Sequence, residues 1–210
     1  MILPAEGRDA LRAVLEQARL EGFLGPGPVD PHIDHAAAFG DGLDAPARAL
    51  DLGSGGGVPS LALACLAWPA CQWVLLDARK RSYEFLEEAV VALGLTSRVE
   101  VVRGRAEEAG RLPALRASFD LVTARGFAPP GITAECGAPF LKSGGHLVVS
   151  EPPGGAPDRW DAAGLAALGL VRDEAVAPHP GAAMARFRQA ELCPDRYPRR
   201  TGIPAKRPLF

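Results

Sequence analysis

Along residues 8–20, Leu11, Val14, Leu15 and Ala18 recur at i, i+3, i+4 and i+7 with charges between them, which predicts an amphipathic helix ending near Gly22. Gly25-Pro26-Gly27-Pro28 and Asp30-Pro31 then break the chain, a short helix is predicted over 32–39, and a turn-rich stretch over 40–46 closes this piece. From Arg48 the pattern changes to short, near-continuous apolar runs that alternate with helical periods. Strands are predicted at 49–52, 72–76, 99–103, 119–124 and 146–150, with helical segments at 59–67, 80–93, 106–112 and within 130–141. A helix over 162–168 precedes two closing strands, 170–176 and 184–190. Strands that are apolar throughout suit a sheet buried on both faces, and the alternating order builds βαβ units. The last two strands have no long helix between them, which implies an antiparallel edge. The expected fold is therefore α/β. It has a mostly parallel seven-stranded sheet with helices on both faces and a short N-terminal helical extension. The boundaries expected are an extension over 1–46, a main domain over 47–193 and a tail over 194–210.

Composition narrows this further. At about 150 residues per domain, 210 residues make one domain with short appendages. With 23 Lys+Arg against 25 Asp+Glu the net charge is -2, which excludes a chain that is basic throughout. The charge is uneven, however. Arg196, Arg199, Arg200, Lys206 and Arg207 fall in a Pro-rich tail with no acid among them, a candidate strip for RNA phosphates. The alternative for that strip is a solvated, Pro-stiffened terminus. Charges at Glu6, Arg8, Asp9 and Arg12 interrupt the apolar core that a signal peptide needs. The longest apolar run, 58–71, is too short to span a bilayer and contains Pro59 and Pro69, so no membrane association is expected. Cys65, Cys71, Cys136 and Cys193 form no C-x-x-C pair, so reduced thiols and a cytoplasmic location are expected.

The chemistry-bearing motif is Leu50-Asp51-Leu52-Gly53-Ser54-Gly55-Gly56-Gly57, at the end of the first predicted strand and opening a helix. Glycines there permit tight turning and close backbone approach to a ligand, and the helix start offers free N–H groups. The dinucleotide fingerprint G-x-G-x-x-G is missed, because Val58 stands where its third glycine would be. An acid before G-x-G-x-G instead resembles the loop that binds S-adenosylmethionine. Asp77, 20 residues past Gly57, ends the second predicted strand, where an acid takes ribose hydroxyls in nucleotide sites. His32 and His35 with Asp30 and Asp34 lack a second ligand pair at metal spacing, so no metal is expected. Trp68, Trp73 and Cys65 read as packing residues, and His146 as a packed polar residue. Arg103 and Arg105 flank the third strand's end, facing RNA or solvent.

Several motifs together resemble one family. They are Gly53-Ser54-Gly55-Gly56-Gly57-Val58-Pro59, Leu76-Asp77 followed by Lys80-Arg81 and Phe85-Leu86, Gly104-Arg105-Ala106-Glu107, and Phe119-Asp120 followed by Thr123-Ala124-Arg125. The tail Arg196-Tyr197-Pro198-Arg199-Arg200-Thr201-Gly202-Ile203-Pro204 adds to them. The family is RsmG, or glucose-inhibited division protein B, the bacterial guanine-N7 methyltransferases of 16S ribosomal RNA. The resemblance implies a class I (Rossmann-like) methyltransferase that uses S-adenosyl-L-methionine and takes ribosomal RNA or the 30S particle as partner. It implies that Gly53, Ser54, Gly55 and Val58 line the cofactor pocket. Asp77 would bind ribose, and Ala106 and Glu107 would lie along the adenine, largely through backbone. Arg125 would face the methionine end or the substrate. No catalytic base is expected, because guanine N7 carries an available lone pair and the sulfonium is already activated, which leaves alignment as the task. The chain departs from the family at Glu151, where a Lys-Gly pair is usual, and in its short N-terminal part. Two alternatives therefore stand beside the main reading: a related methyltransferase with another RNA or a small-molecule substrate, and a non-catalytic RNA-binding module on the same fold.

Overall fold

The structure, a computed structural model, describes residues 7–153, 157–173 and 181–210. Helix α1 (Arg8–Leu20) buries Leu11, Leu15 and Ala18, the stripe its periodicity predicts. Helix α2 (Asp30–Ala36) runs into a 3-10 turn, Ala37–Phe39. Then follow β1 (Arg48–Leu52), α3 (Ser60–Leu66), β2 (Gln72–Asp77), α4 (Lys80–Ala92), β3 (Val99–Arg103), α5 (Ala106–Ala109) and β4 (Phe119–Ala124). The chain closes with α6 (Pro130–Gly137), β5 (Leu141–Ser150), α7 (Ala162–Ala167), β6 (Leu170–Arg172), β7 (Met184–Gln189) and α8 (Ile203–Lys206).

The seven strands form one sheet in the order β3-β2-β1-β4-β5-β7-β6. The first five are parallel, and β7 pairs antiparallel with both β5 and β6, which is the antiparallel edge expected from the two closing strands. Although the strands are apolar throughout, alternate side chains serve different cores. Ala49, Trp73 and Leu75 join Leu11, Leu15, Ile33, Leu61 and Phe85 on one face. Leu50, Leu52, Val74 and Leu76 join Phe119, Phe140, Leu147 and Phe187 on the other. The N-terminal helices share the first core, and α1 packs on α3 and α4. Trp68 and Trp73 stack in it with centroids 6.2 Å apart, and His146 pairs with Asp173 at 3.2 Å.

Three expectations need correction. The fifth strand begins at Leu141, because Gly144, at φ +83, makes an irregular step inside the strand, where its register with β4 shifts, rather than a turn before it; a Cβ on Gly145 would lie 2.8 Å from the Phe119 carbonyl. The sixth strand ends at Arg172, and residues 174–176 of its expected span lie outside the described residues. The tail, for which no element was predicted, carries α8 and packs against α6. Among the described residues no helix is long and apolar enough to cross a membrane.

Candidate cofactor and acceptor site

The parallel strands β1, β2, β3 and β4 all deliver their carboxyl ends to one edge of the sheet, where open α/β sheets bind ligands. The glycine loop is lashed there by backbone bonds: Gly53 and Ser54 N–H groups donate to the Leu76 carbonyl at 2.8 and 3.1 Å. Gly55 N–H donates to Asp77 Oδ2 at 3.0 Å, and Arg79 N–H to Asp77 Oδ1 at 2.9 Å. Asp77 is thus held at the end of β2, and the Arg79 guanidinium adds two long contacts to the same carboxylate, Nε to Oδ1 and Nη2 to Oδ2, each at 3.4 Å. Gly53 has φ +71, and a Cβ there would meet Phe127 at 2.6 Å, so the aromatic ring closes directly on the loop. A Cβ on Gly56 would meet Phe23 Cβ at 2.9 Å, which shows how closely the segment after α1 covers the loop from outside.

Asp51 is a brace rather than a ligand. Its carboxylate is buried and accepts from Ser60 Oγ and Thr123 Oγ1, both at 2.7 Å, tying β1 to α3 and β4. Burial raises its pKa to about 6, opposed by these hydroxyls and by the charge of Arg125.

A cavity of about 300 Å³ opens beside the loop, lined by Gly53, Asp77, Ala106 and Glu107 together with Arg79, Phe127 and neighbours. Four residues expected in the pocket stand elsewhere. The Ser54 hydroxyl turns back to the Asp51 carbonyl at 2.9 Å. Gly55 gives its N–H to Asp77, and Val58 lies in the apolar core under α1 and α3. Arg125 does not line this cavity, and its Nη2 lies 2.7 Å from His32 Nδ1. Burial and the neighbouring arginine lower the His32 pKa, so the ring is neutral and accepts from the guanidinium. Arg125 Nη1 is buried and has no hydrogen-bond partner among the described residues, the kind of donor a ligand carboxylate satisfies.

The cradle fits S-adenosylmethionine in its chemistry: an acid for ribose hydroxyls at Asp77, close backbone at Gly53, and an orphaned donor at Arg125 for a carboxylate. The other candidate metal ligands are engaged. Asp30 pairs with Arg12 and Asp34 with Arg8, each at 2.9 Å.

A second cavity of about 300 Å³ shares Gly126 and Phe127 with the first, and its other walls come from the start of α6, the carboxyl end of β5, Arg159 and Trp160. Glu151, the departure from the family, lies in its wall, with Oε1 3.2 Å from Trp160 Nε1 and Oε2 3.3 Å from Arg159 Nη1. Phe127 and Trp160 were missed from sequence. Phe127 had a signal, an aromatic two residues past the arginine that follows β4. Trp160 had none, since only the fold brings it to β5. A larger cavity of about 600 Å³ lies by the amino ends of β2 and β3, at the opposite edge from the ligand-binding ends of the strands.

The basic strip is only partly available for RNA, and Arg199 must be withdrawn from it. Its guanidinium clamps Glu135 on α6, with Nε to Oε1 at 2.8 Å and Nη2 to Oε2 at 2.6 Å, and Glu135 is fully buried. Tail backbone is held by Arg116, through the carbonyls of Cys193 and Tyr197, and by Arg111 through that of Pro198. Glu107, expected along the adenine, gives its side chain to the tail as well, accepting from Gly202 N–H at 2.9 Å. Arg196, Arg200, Lys206 and Arg207 remain exposed.

Comparison with known proteins adds to this geometry. The family model described as GidB, rRNA small subunit methyltransferase G, matches residues 31–151, more than half of the chain. A ribosomal RNA small subunit methyltransferase G of Leuconostoc mesenteroides is 36% identical over 165 residues, 76% of this chain and 68% of that protein. The protein of the same name from Dehalococcoides mccartyi is 35% identical over 185 residues, covering 85% and 77%. Among solved structures, cofactor-bound Rv0187 from MTB superposes with TM-score 0.59 at 20% identity, covering 87% of this chain and 90% of that one. An S-adenosylmethionine-dependent O-methyltransferase from Thermotoga maritima superposes with TM-score 0.57 at 16% identity, covering 85% and 71%. At such identities the structural likeness speaks for the class I methyltransferase fold.

Proposed function

Because the chain belongs to the GidB family, rRNA small subunit methyltransferase G, we propose that it transfers the methyl group of S-adenosylmethionine to N7 of a guanine in small-subunit (16S) ribosomal RNA. The substrate is taken free or within the 30S particle, in the cytoplasm. The chain is an enzyme of the S-adenosylmethionine-dependent class. The observation that carries the substrate reading is the pair of adjoining cavities at the carboxyl ends of the strands. One has the chemistry for an adenosyl group, the other has room and planar walls for a base, and Phe127 stands between them.

In this reading Asp77 takes the ribose hydroxyls, Gly53 and Ala106 lie against the nucleoside, and Arg125 binds the methionine carboxylate through Nη1. Glu107 contributes backbone, since its carboxylate holds the tail. Ser54, Gly55 and Val58 act by shaping the loop. The bound donor supplies a methyl group on a cationic sulfur. The chain's residues need only hold guanine N7 in line with it, close to contact distance, and exclude water. N7 keeps its lone pair at neutral pH, so no residue has to remove a proton before attack. Arg196, Arg200, Lys206 and Arg207 supply phosphate contacts.

A second reading, the same chemistry on a different RNA or on a small molecule, is favoured by the acid at Glu151, where the family resemblance implies lysine. A labelled-methyl assay over ribosomal RNA, 30S particles and a metabolite extract separates the two. Label confined to small molecules discards the RNA substrate. A non-catalytic module would leave all three pools unlabelled.

A further inference from the structure

We propose that Glu151 is the guanine-reading residue of this enzyme, its carboxylate accepting the N1–H and N2–H donors of a base seated between Phe127 and Trp160. This deepens, and rests on, the reading of the chain as a guanine-N7 methyltransferase.

The placement comes from the fold. Ser150 ends β5, and the next residue is pinned because Glu151 N–H donates to the Ala183 carbonyl at 2.9 Å. The side chain is only 6% exposed and lies in the wall of the cavity that adjoins the cofactor cavity through Gly126 and Phe127. Trp160 is 6% exposed and is itself fixed by Phe187, with centroids 4.5 Å apart. Each oxygen of Glu151 accepts one long bond, from Trp160 Nε1 at 3.2 Å and from Arg159 Nη1 at 3.3 Å. A carboxylate offers about four lone-pair sites, so one on each oxygen is left for a ligand.

The chemistry selects the base. A guanine whose N7 faces the donor cavity turns its Watson–Crick edge away from it, toward the far wall, and that edge carries two adjacent N–H donors. A carboxylate matches this pair. Adenine presents a lone pair at N1 in the same place and is repelled. Lysine, a donor only, could not read this edge. Arg159 offsets the negative charge that would otherwise face a polyanionic substrate.

The test uses the full chain, labelled S-adenosylmethionine and a small-subunit ribosomal RNA transcript. The methylated guanine is mapped first, and a ligated transcript then carries inosine, which lacks the 2-amino group, at that position. Wild type should prefer guanine over inosine, and Glu151→Gln should lower kcat/KM on guanine about 10- to 100-fold, the loss expected for a hydrogen bond to a charged group. The Gln variant should also bring the guanine-to-inosine ratio close to that of intrinsic N7 reactivity, while S-adenosylmethionine affinity measured by calorimetry stays unchanged. Glu151→Lys should fall at least as far. An unchanged ratio in Glu151→Gln, with equal losses on both bases, overturns the proposal and leaves Glu151 as a support for Trp160. A rise in activity for Glu151→Lys overturns it too. If Glu151→Gln does not fold, Glu151→Asp, which withdraws the carboxylate by one methylene, must give an intermediate ratio. A wild-type enzyme that labels no RNA guanine refutes the underlying function instead, and this assignment with it.

Discussion

The glycine loop and the basic tail carry the two most specific motifs in the chain, and they behave differently. The loop, residues 53–57, acts through backbone: its N–H groups, its close approach to Phe127 and its tether to Leu76 follow from the glycines themselves. The tail's arginines act through side chains, and the partners of the tail lie far away in sequence. Arg199 meets Glu135, 64 positions earlier, and Gly202 meets Glu107, 95 positions earlier. A motif that works through backbone can be interpreted locally. A run of charges cannot, because the fold decides which of them are already paired.

The largest effect that tests this contrast is on stability. Arg199→Met leaves Glu135 buried without a cation, which should cost about 3–5 kcal/mol in urea unfolding. Glu135→Leu combined with Arg199→Met should recover most of that loss. A loss under about 1 kcal/mol in the single variant would return Arg199 to the RNA-facing strip.

Next is a pH effect at the loop's brace. Burial raises Asp51 from 3.8 to about 6, so the folded protein holds this proton more tightly than the unfolded chain. The resulting stabilisation is full below about pH 4 and is lost as pH rises through about 6. Asp51→Asn removes this dependence, so its stability relative to wild type should improve by up to about 3 kcal/mol between pH 4 and 8. Parallel pH profiles of the urea midpoint for the two proteins would show that Asp51 does not carry the shift.

Smaller again is the loss of a ligand contact. Asp77→Ala should weaken S-adenosylmethionine binding about 10- to 100-fold by calorimetry. Arg199→Met, if folded, should weaken it far less. Equal losses would mean that tail and loop are one unit. The smallest effects belong to the exposed cations. Arg200→Ala and Lys206→Ala should each reduce the salt slope of RNA binding by about 1 while leaving the melting temperature unchanged. A slope unchanged in both would place the phosphate contacts elsewhere.

Much of the fold was legible in the sequence because local signals agreed. Leu11, Leu15 and Ala18 fell on one helical face, and Gly94, with φ +65, stopped α4 where expected. Strand edges shifted where glycines at an irregular step inside a strand looked like a turn, as at Gly144 and Gly145. Of the candidate site, the cavity-lining Gly53, Asp77 and Ala106 were legible because each follows or ends a strand or opens a helix. Ser54 and Val58 were misplaced because loop membership does not say which way a side chain turns. Trp160 and Glu135 depend on pairings between distant segments, which no local pattern encodes.

The most direct test of the proposed function is to incubate the full chain with labelled S-adenosylmethionine and deproteinised small-subunit ribosomal RNA, then map the label by the strand scission that N7-methylguanine undergoes after reduction and aniline treatment. Label at N7 of a guanine, present with wild type and strongly reduced with Asp77→Ala, is the predicted result. Label on a base nitrogen other than N7, on ribose, or only on small molecules would contradict it.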